Sequence, residues 1–103
     1  MLVQGVEKRI NPRAKIARKL RVRPSDAYED DFEEIATSVN VSKRGVYFHT
    51  DLQSYRVALR LFVTYPFTSL NDPMKTEWLA EVVRVDDLPG NKHGIAIHLH
   101  NRI

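Results

Sequence analysis

The sequence has no cysteine in its 103 residues, which excludes a disulfide framework and a thiolate metal site together. No apolar run approaches the roughly 20 residues that a membrane-spanning helix needs. The first residues, Met1-Leu2-Val3-Gln4-Gly5, lead into charges within a few positions, so no signal peptide is expected and the expected compartment is the cytoplasm. Internal repeats and low-complexity stretches are also missing, as is any long helical pattern. What remains is an ordinary globular composition, 43% hydrophobic and 28% charged, in a length that suits one domain with its own core.

The net charge of +3 conceals an asymmetry. Residues 1–23 carry eight of the sixteen basic side chains against the single acid Glu7, a local charge of +7. The remaining eighty residues hold eight bases and twelve acids and sum to −4. A basic arm on a mildly acidic body suggests an anionic partner at that end, although a solvated tail with one charged strand face explains the charge equally well.

From residue 15 onward the pattern is all-β. Ile16 to Val22 sets Ile16, Leu20 and Val22 against Lys19 and Arg21. Pro24-Ser25-Asp26 followed by Glu29-Asp30-Asp31 reads as a polar hairpin loop, whose acids lack the spacing and glycine turns of a calcium site. A second strand spans Glu34 to Val41, and a short third spans Val46 to Thr50, directly after Gly45. Asp51 to Arg56 lacks periodicity and is assigned one helical turn. Ala58 to Tyr65 aligns Leu59, Leu61, Val63 and Tyr65; Pro66 and Pro73 then bracket a loop. Thr76 to Val85 places Trp78, Ala80 and Val82 on one face, with Leu79, Val83 and Val85 on the other. After the turn Leu88-Pro89-Gly90-Asn91, Gly94 to His100 aligns Ile95, Ile97 and Leu99. Six short strands between Pro, Gly, Asn and Asp turns predict a six-stranded antiparallel β-barrel or sandwich. The division expected is an arm over residues 1–14 and a barrel over 15–103.

Two local patterns carry chemistry. The first is Arg-x-x-x-Arg at Arg9-Ile10-Asn11-Pro12-Arg13. Pro12 biases Asn11 toward an extended conformation, so both arginines are expected on a stiffened, extended arm before the first strand. The same spacing recurs at Arg56 and Arg60, which shows how little a bare match is worth. The second pattern is Asn40-Val41-Ser42-Lys43-Arg44-Gly45, joining strands two and three. Asn and Ser at a strand end bond nearby backbone, and glycine supplies a positive φ or a close approach, so this turn alone is as well explained by structure.

Taken together and in this order, the two patterns resemble the two-part signature of the PilZ domain family. The flanks are similar as well: Glu7-Lys8-Arg9-Ile10-Asn11-Pro12-Arg13 at the start, and Gly94-Ile95-Ala96-Ile97-His98-Leu99 as a closing strand. The resemblance extends from about Glu7 to His100. It departs from the family in one respect, because too few residues follow the last strand to form the helix often found there.

That resemblance implies a PilZ-like split barrel with a flexible basic arm, acting as a non-enzymatic receptor for the bacterial second messenger cyclic di-GMP. The ligand carries two phosphates and two guanines. Arginine binds phosphate bidentately, stacks on rings and matches the O6/N7 edge of guanine. By resemblance, Arg9 and Arg13 would bind phosphate and guanine edges, Asn40 and Ser42 would hydrogen-bond a second part, and Gly45 would let the loop come close. Lys8, Lys43 and Arg44 are secondary candidates, with Lys8 bearing on whether one or two ligand molecules bind. The output would be an arm that orders over the ligand and a changed surface shown to a downstream protein or adjacent domain. No cofactor is implied.

Other residues invite readings that the pattern does not support. His98 and His100 alternate with Ile97 and Leu99 and are expected to face solvent, with no further ligand to complete a metal site. Ser42, His49 and Asp51 form a triad on paper only, since nothing resembles a nucleophile elbow. Trp78 and Tyr65 read as core. The runner-up function is a small basic barrel binding single-stranded nucleic acid, which requires exposed aromatics for stacking. Third is a ligand-free PilZ relative serving as a protein-interaction module.

Overall fold

A computed structural model describes residues 14–26 and 31–103. Arg9, Arg13 and Lys8 lie outside the described residues, as do residues 27–30 of the expected acidic loop. The chain forms a closed all-β barrel of six antiparallel strands. These are β1 (Lys19–Pro24), β2 (Glu34–Val41), β3 (Gly45–Thr50), β4 (Arg60–Thr64), β5 (Glu77–Leu88) and β6 (Lys92–Arg102), in the cyclic order β1-β2-β3-β6-β5-β4.

The alternation in the sequence becomes the inside and outside of this barrel. Leu20 and Val22 of β1, Phe48 of β3, Leu61 and Val63 of β4, Ala80 and Val82 of β5, and Ile95 and Ile97 of β6 are buried together. Fully burying each larger aliphatic or aromatic side chain contributes about 1.5–3 kcal/mol, so this inward set is the main source of stability.

Several sequence expectations shift. The first strand begins at Lys19 rather than Ile16, because the preceding stretch is held by a side chain: Ser38 Oγ donates to the Ile16 carbonyl and accepts from the Arg18 amide at 3.0 Å. Asp51 to Arg56 contains no helical turn. It is an irregular segment that drops Tyr55 into the barrel mouth, where the Tyr55 hydroxyl donates to Glu34 Oε1 at 2.8 Å. The fourth strand starts at Arg60 instead of Ala58, since Ala58 takes a left-handed φ of 76° in the turn before it.

The largest departure lies in β5. Val82 pairs with Ile97 and Arg84 with Ala96, leaving Val83 as an extra residue in a β-bulge. The extra residue inverts the parity of everything after it. Val85 therefore packs against the core instead of sharing the outer face with Val83, and Arg84 turns outward.

Candidate functional site

The turn from β2 to β3 is shaped by the backbone. The Ser42 amide donates to the Gly45 carbonyl at 2.9 Å, and the Leu99 amide of β6 donates to the Arg44 carbonyl at 2.8 Å. Gly45 is required by proximity rather than by a left-handed φ. A Cβ there would lie 3.2 Å from Ser42 Oγ and 3.3 Å from the Ile97 carbonyl oxygen, closer than ordinary contact. The turn is thus pressed onto β6, and its polar side chains are brought to the outer wall of the barrel.

Along that wall runs a groove of about 290 Å³. Asn40, Ser42, Arg44 and Gly45 line its turn side. Its far side is formed by Tyr47, Val83, Arg84 and His98, with Ala96 between Tyr47 and Arg84 in the strand register. The short Ala96 side chain leaves the floor low between two large neighbours. Four of the residues singled out in the sequence therefore converge on one concavity. Lys43 does not; it lines a separate hollow on the other side of Arg44.

Tyr47 and Arg84 are set by a small network. The Tyr47 ring lies where a Gly94 side chain would be: a Cβ on Gly94 would fall 1.8 Å from the Tyr47 hydroxyl oxygen. Its hydroxyl donates to Asp86 Oδ2 at 3.1 Å, and Arg84 Nε donates to Asp86 Oδ1 at the same distance. The Arg84 guanidinium carbon sits 5.6 Å from the Tyr47 ring centre, within cation–π range. Burial raises the Tyr47 phenol above its ordinary pKa, and the hydrogen bond and charge of Asp86 push it further the same way. Tyr47 is therefore a neutral, fixed wall. The arrangement offers a planar cation, a neutral aromatic and several hydrogen-bonding groups, which suits an anionic planar ligand.

Sequence reasoning missed Arg84. Strict alternation from Ala80 and Val82 would have pointed it into the core, and that conflict was itself the available sign of a bulge.

The start of the described chain reaches the same place. Ala14 forms an isolated bridge with Val41, each amide donating to the other's carbonyl at 2.8 Å. Val41 stands between Asn40 and Ser42 in sequence, so the residue that follows Arg13 is anchored beside the turn.

The competing chemistries find little support in the geometry. Among the described residues no Phe, Tyr or Trp is fully exposed, as an open stacking platform for unpaired bases would require. His98 and His100 lie with ring centres 4.7 Å apart, and His100 Nε2 is 3.1 Å from Glu81 Oε1, but no group of three or more metal-binding side chains forms among the described residues. Among the described residues no helix is long and apolar enough to cross a membrane.

No protein-family model matches the chain, and no curated protein matches it by sequence. Among solved structures, the chain is similar to the inhibitor of motility MotI/DgrA of Bacillus subtilis, with a TM-score of 0.68 and 16% sequence identity over 95% of this chain. The likeness covers 44% of that protein, so the chain spans less than half of its length. At this identity the finding is one of shared fold.

Proposed function

We propose that the groove binds cyclic di-GMP and that the chain is a PilZ-type receptor rather than an enzyme. The observation that carries this reading is the convergence of Asn40, Ser42 and Gly45 on one groove, with Ala14 bridged to Val41 at its rim. A turn that merely joined two strands would have no reason to gather its polar side chains around a concavity of this kind. Arg44 and Arg84 add two guanidinium groups to the same space. The arm, entering beside the turn, would bring Arg9 and Arg13 over a ligand lying there, adding bidentate contacts to phosphate or guanine. The fold likeness to an inhibitor of motility is consistent with a signalling role. Ligand binding would then be relayed, by ordering of the arm, to a protein partner or an adjacent domain in the cytoplasm.

Titration calorimetry with cyclic di-GMP tests the reading, with cyclic di-AMP as the control ligand and Arg13→Ala as the variant. Saturable heat selective for the guanine ligand is expected, with the variant weakened by about 1–3 kcal/mol, roughly ten- to hundredfold. Flat heats from folded protein would overturn it. A steep fall of affinity with salt, together with tight binding of single-stranded oligonucleotides, would replace it with the nucleic-acid reading.

A further inference from the structure

A second hollow of about 340 Å³ opens at the end of the barrel where β2 turns into β3. Trp78 and Leu99 give it an apolar lining, and Lys43, Arg44 and Arg102 give it charge. No acidic residue lines it, and none of these three cations has a carboxylate partner among the described residues. That contrasts with the outer wall, where Arg21 is paired with Glu33, Arg84 with Asp86, and Lys92 with Asp51. The indole Nε1–H of Trp78 is buried and finds no acceptor among the described residues. Trp78 and Arg102 are also directly paired across β5 and β6, which fixes the ring and the charge side by side.

Cations around an apolar lining, with a buried donor to spare, match a short acidic peptide that carries an aliphatic side chain better than they match a bare phosphate. Lys43, Arg44 and Arg102 complement the charge of such a segment, and Trp78 and Leu99 offer its aliphatic side chain an apolar surface.

Arg44 lines both the hollow and the groove. Arg44 stands between the two spaces, so an anion that draws its guanidinium fully into the groove takes that charge out of the hollow. We propose that the hollow docks an acidic segment of a partner protein, and that a nucleotide in the groove weakens this docking by drawing Arg44 away. The docking rests on the hollow alone, while the coupling rests on the reading of the groove given above. By linkage the effect is reciprocal: the partner segment weakens nucleotide binding by the same factor.

Trp78 is the single tryptophan of the chain, so its emission reports on the hollow directly. The probe is a synthetic peptide of alternating Glu and Leu, with a Lys-Leu peptide and inorganic phosphate as controls. Saturable change in Trp78 emission with the acidic peptide alone is expected, weakened at least tenfold in Arg102→Ala and in Lys43→Ala. Both variants should keep their fold by circular dichroism, and Arg102→Ala should keep its nucleotide affinity. Saturating cyclic di-GMP should weaken the peptide three- to tenfold. No change in emission, an equal response to the Lys-Leu peptide, or equal binding of inorganic phosphate would overturn the docking site. Peptide affinity unchanged by a nucleotide that calorimetry shows to be bound would overturn the coupling. If the nucleotide gives no heat, the groove reading fails and the coupling falls with it, while the docking site stands or falls on the peptide and Arg102→Ala.

Discussion

The two ends of the barrel are built from the same strands and solve opposite problems. At one end, the segment after β3 folds back and plugs the mouth. Tyr55 and Leu59 are buried there, with the Tyr55 ring edge-on to Phe32 and Phe48 at 4.9 and 5.6 Å. Glu34 collects the polar groups of the plug, accepting from the Tyr55 hydroxyl at 2.8 Å and from Thr50 Oγ1 at 2.7 Å. Burial, and then the hydrogen bond and charge of Glu34, drive the Tyr55 phenol well above its ordinary pKa, so it stays a donor at every physiological pH. At the other end the β2–β3 turn is short, its cations have no carboxylate partner among the described residues, and concavities lie on both sides of Arg44. One end gathers Tyr55 and Thr50 onto Glu34; the other leaves Lys43 and Arg44 without a carboxylate among the described residues. On the proposed reading stability and recognition fall to opposite ends, and substitutions should separate them.

The largest effect should come from unplugging the closed end. Tyr55→Ala removes a buried aromatic and leaves a cavity, so a loss of about 3–5 kcal/mol is expected, read as a lowered urea midpoint. Tyr55→Phe should cost about 1–2 kcal/mol through the lost hydrogen bond alone. Neither should alter nucleotide affinity in the folded protein. If Tyr55→Phe weakened the nucleotide, the separation of the two ends would be wrong.

Gly45→Ala probes the open end in the reverse sense. The added methyl presses on Ser42 Oγ and on the Ile97 carbonyl, within the groove lining itself. Stability should fall by about 1 kcal/mol or less, whereas nucleotide affinity should drop by roughly tenfold, about 1.4 kcal/mol. A variant that lost several kcal/mol of stability with unchanged affinity would mark the turn as purely structural.

The smallest effect concerns the exposed rim of the closed end. Arg21 Nε donates to Glu33 Oε2 at 2.7 Å, and this bond is the main reason the Glu33 carboxyl lies below its ordinary pKa. A carboxyl depressed by folding stabilises the protein above its unfolded pKa of about 4.3, and that contribution is lost as pH falls through the lower folded value. The Glu33 side chain is half exposed, so solvent screening limits the contribution to less than about 1 kcal/mol. Urea melts between pH 6 and pH 3 should show this component in the wild type and its absence in Arg21→Ala.

Much of this architecture could be read from the residues. The six strands follow from alternation, and β2 runs from Glu34 to Val41 as the pattern requires, although its pairing with β3 slips at Val39, between Ser38 and Asn40. What could not be read depends on partners distant in sequence. The bulge at Val83 exists only because β6 pairs Ile97 and Ala96 with residues that skip it. The plug at Tyr55 is dictated by Glu34, twenty-one positions earlier, which overrides any local helical tendency. The site divides in the same way. Asn40, Ser42 and Gly45 announce themselves by spacing within a single turn, while Tyr47 and Arg84 join them only through the curvature of the barrel. Arg9 and Arg13, prominent in the sequence, lie outside the described residues.

The closed strand order β1-β2-β3-β6-β5-β4 has a further consequence. Each strand has a neighbour on both sides over much of its length, so little free edge is left among the described residues beyond the stretch from Val83 to Leu88, where β5 outruns β4 and pairs with β6 alone. Closure guards the rest of the sheet against edge-to-edge aggregation, and confines any partner that adds a strand to that one short stretch.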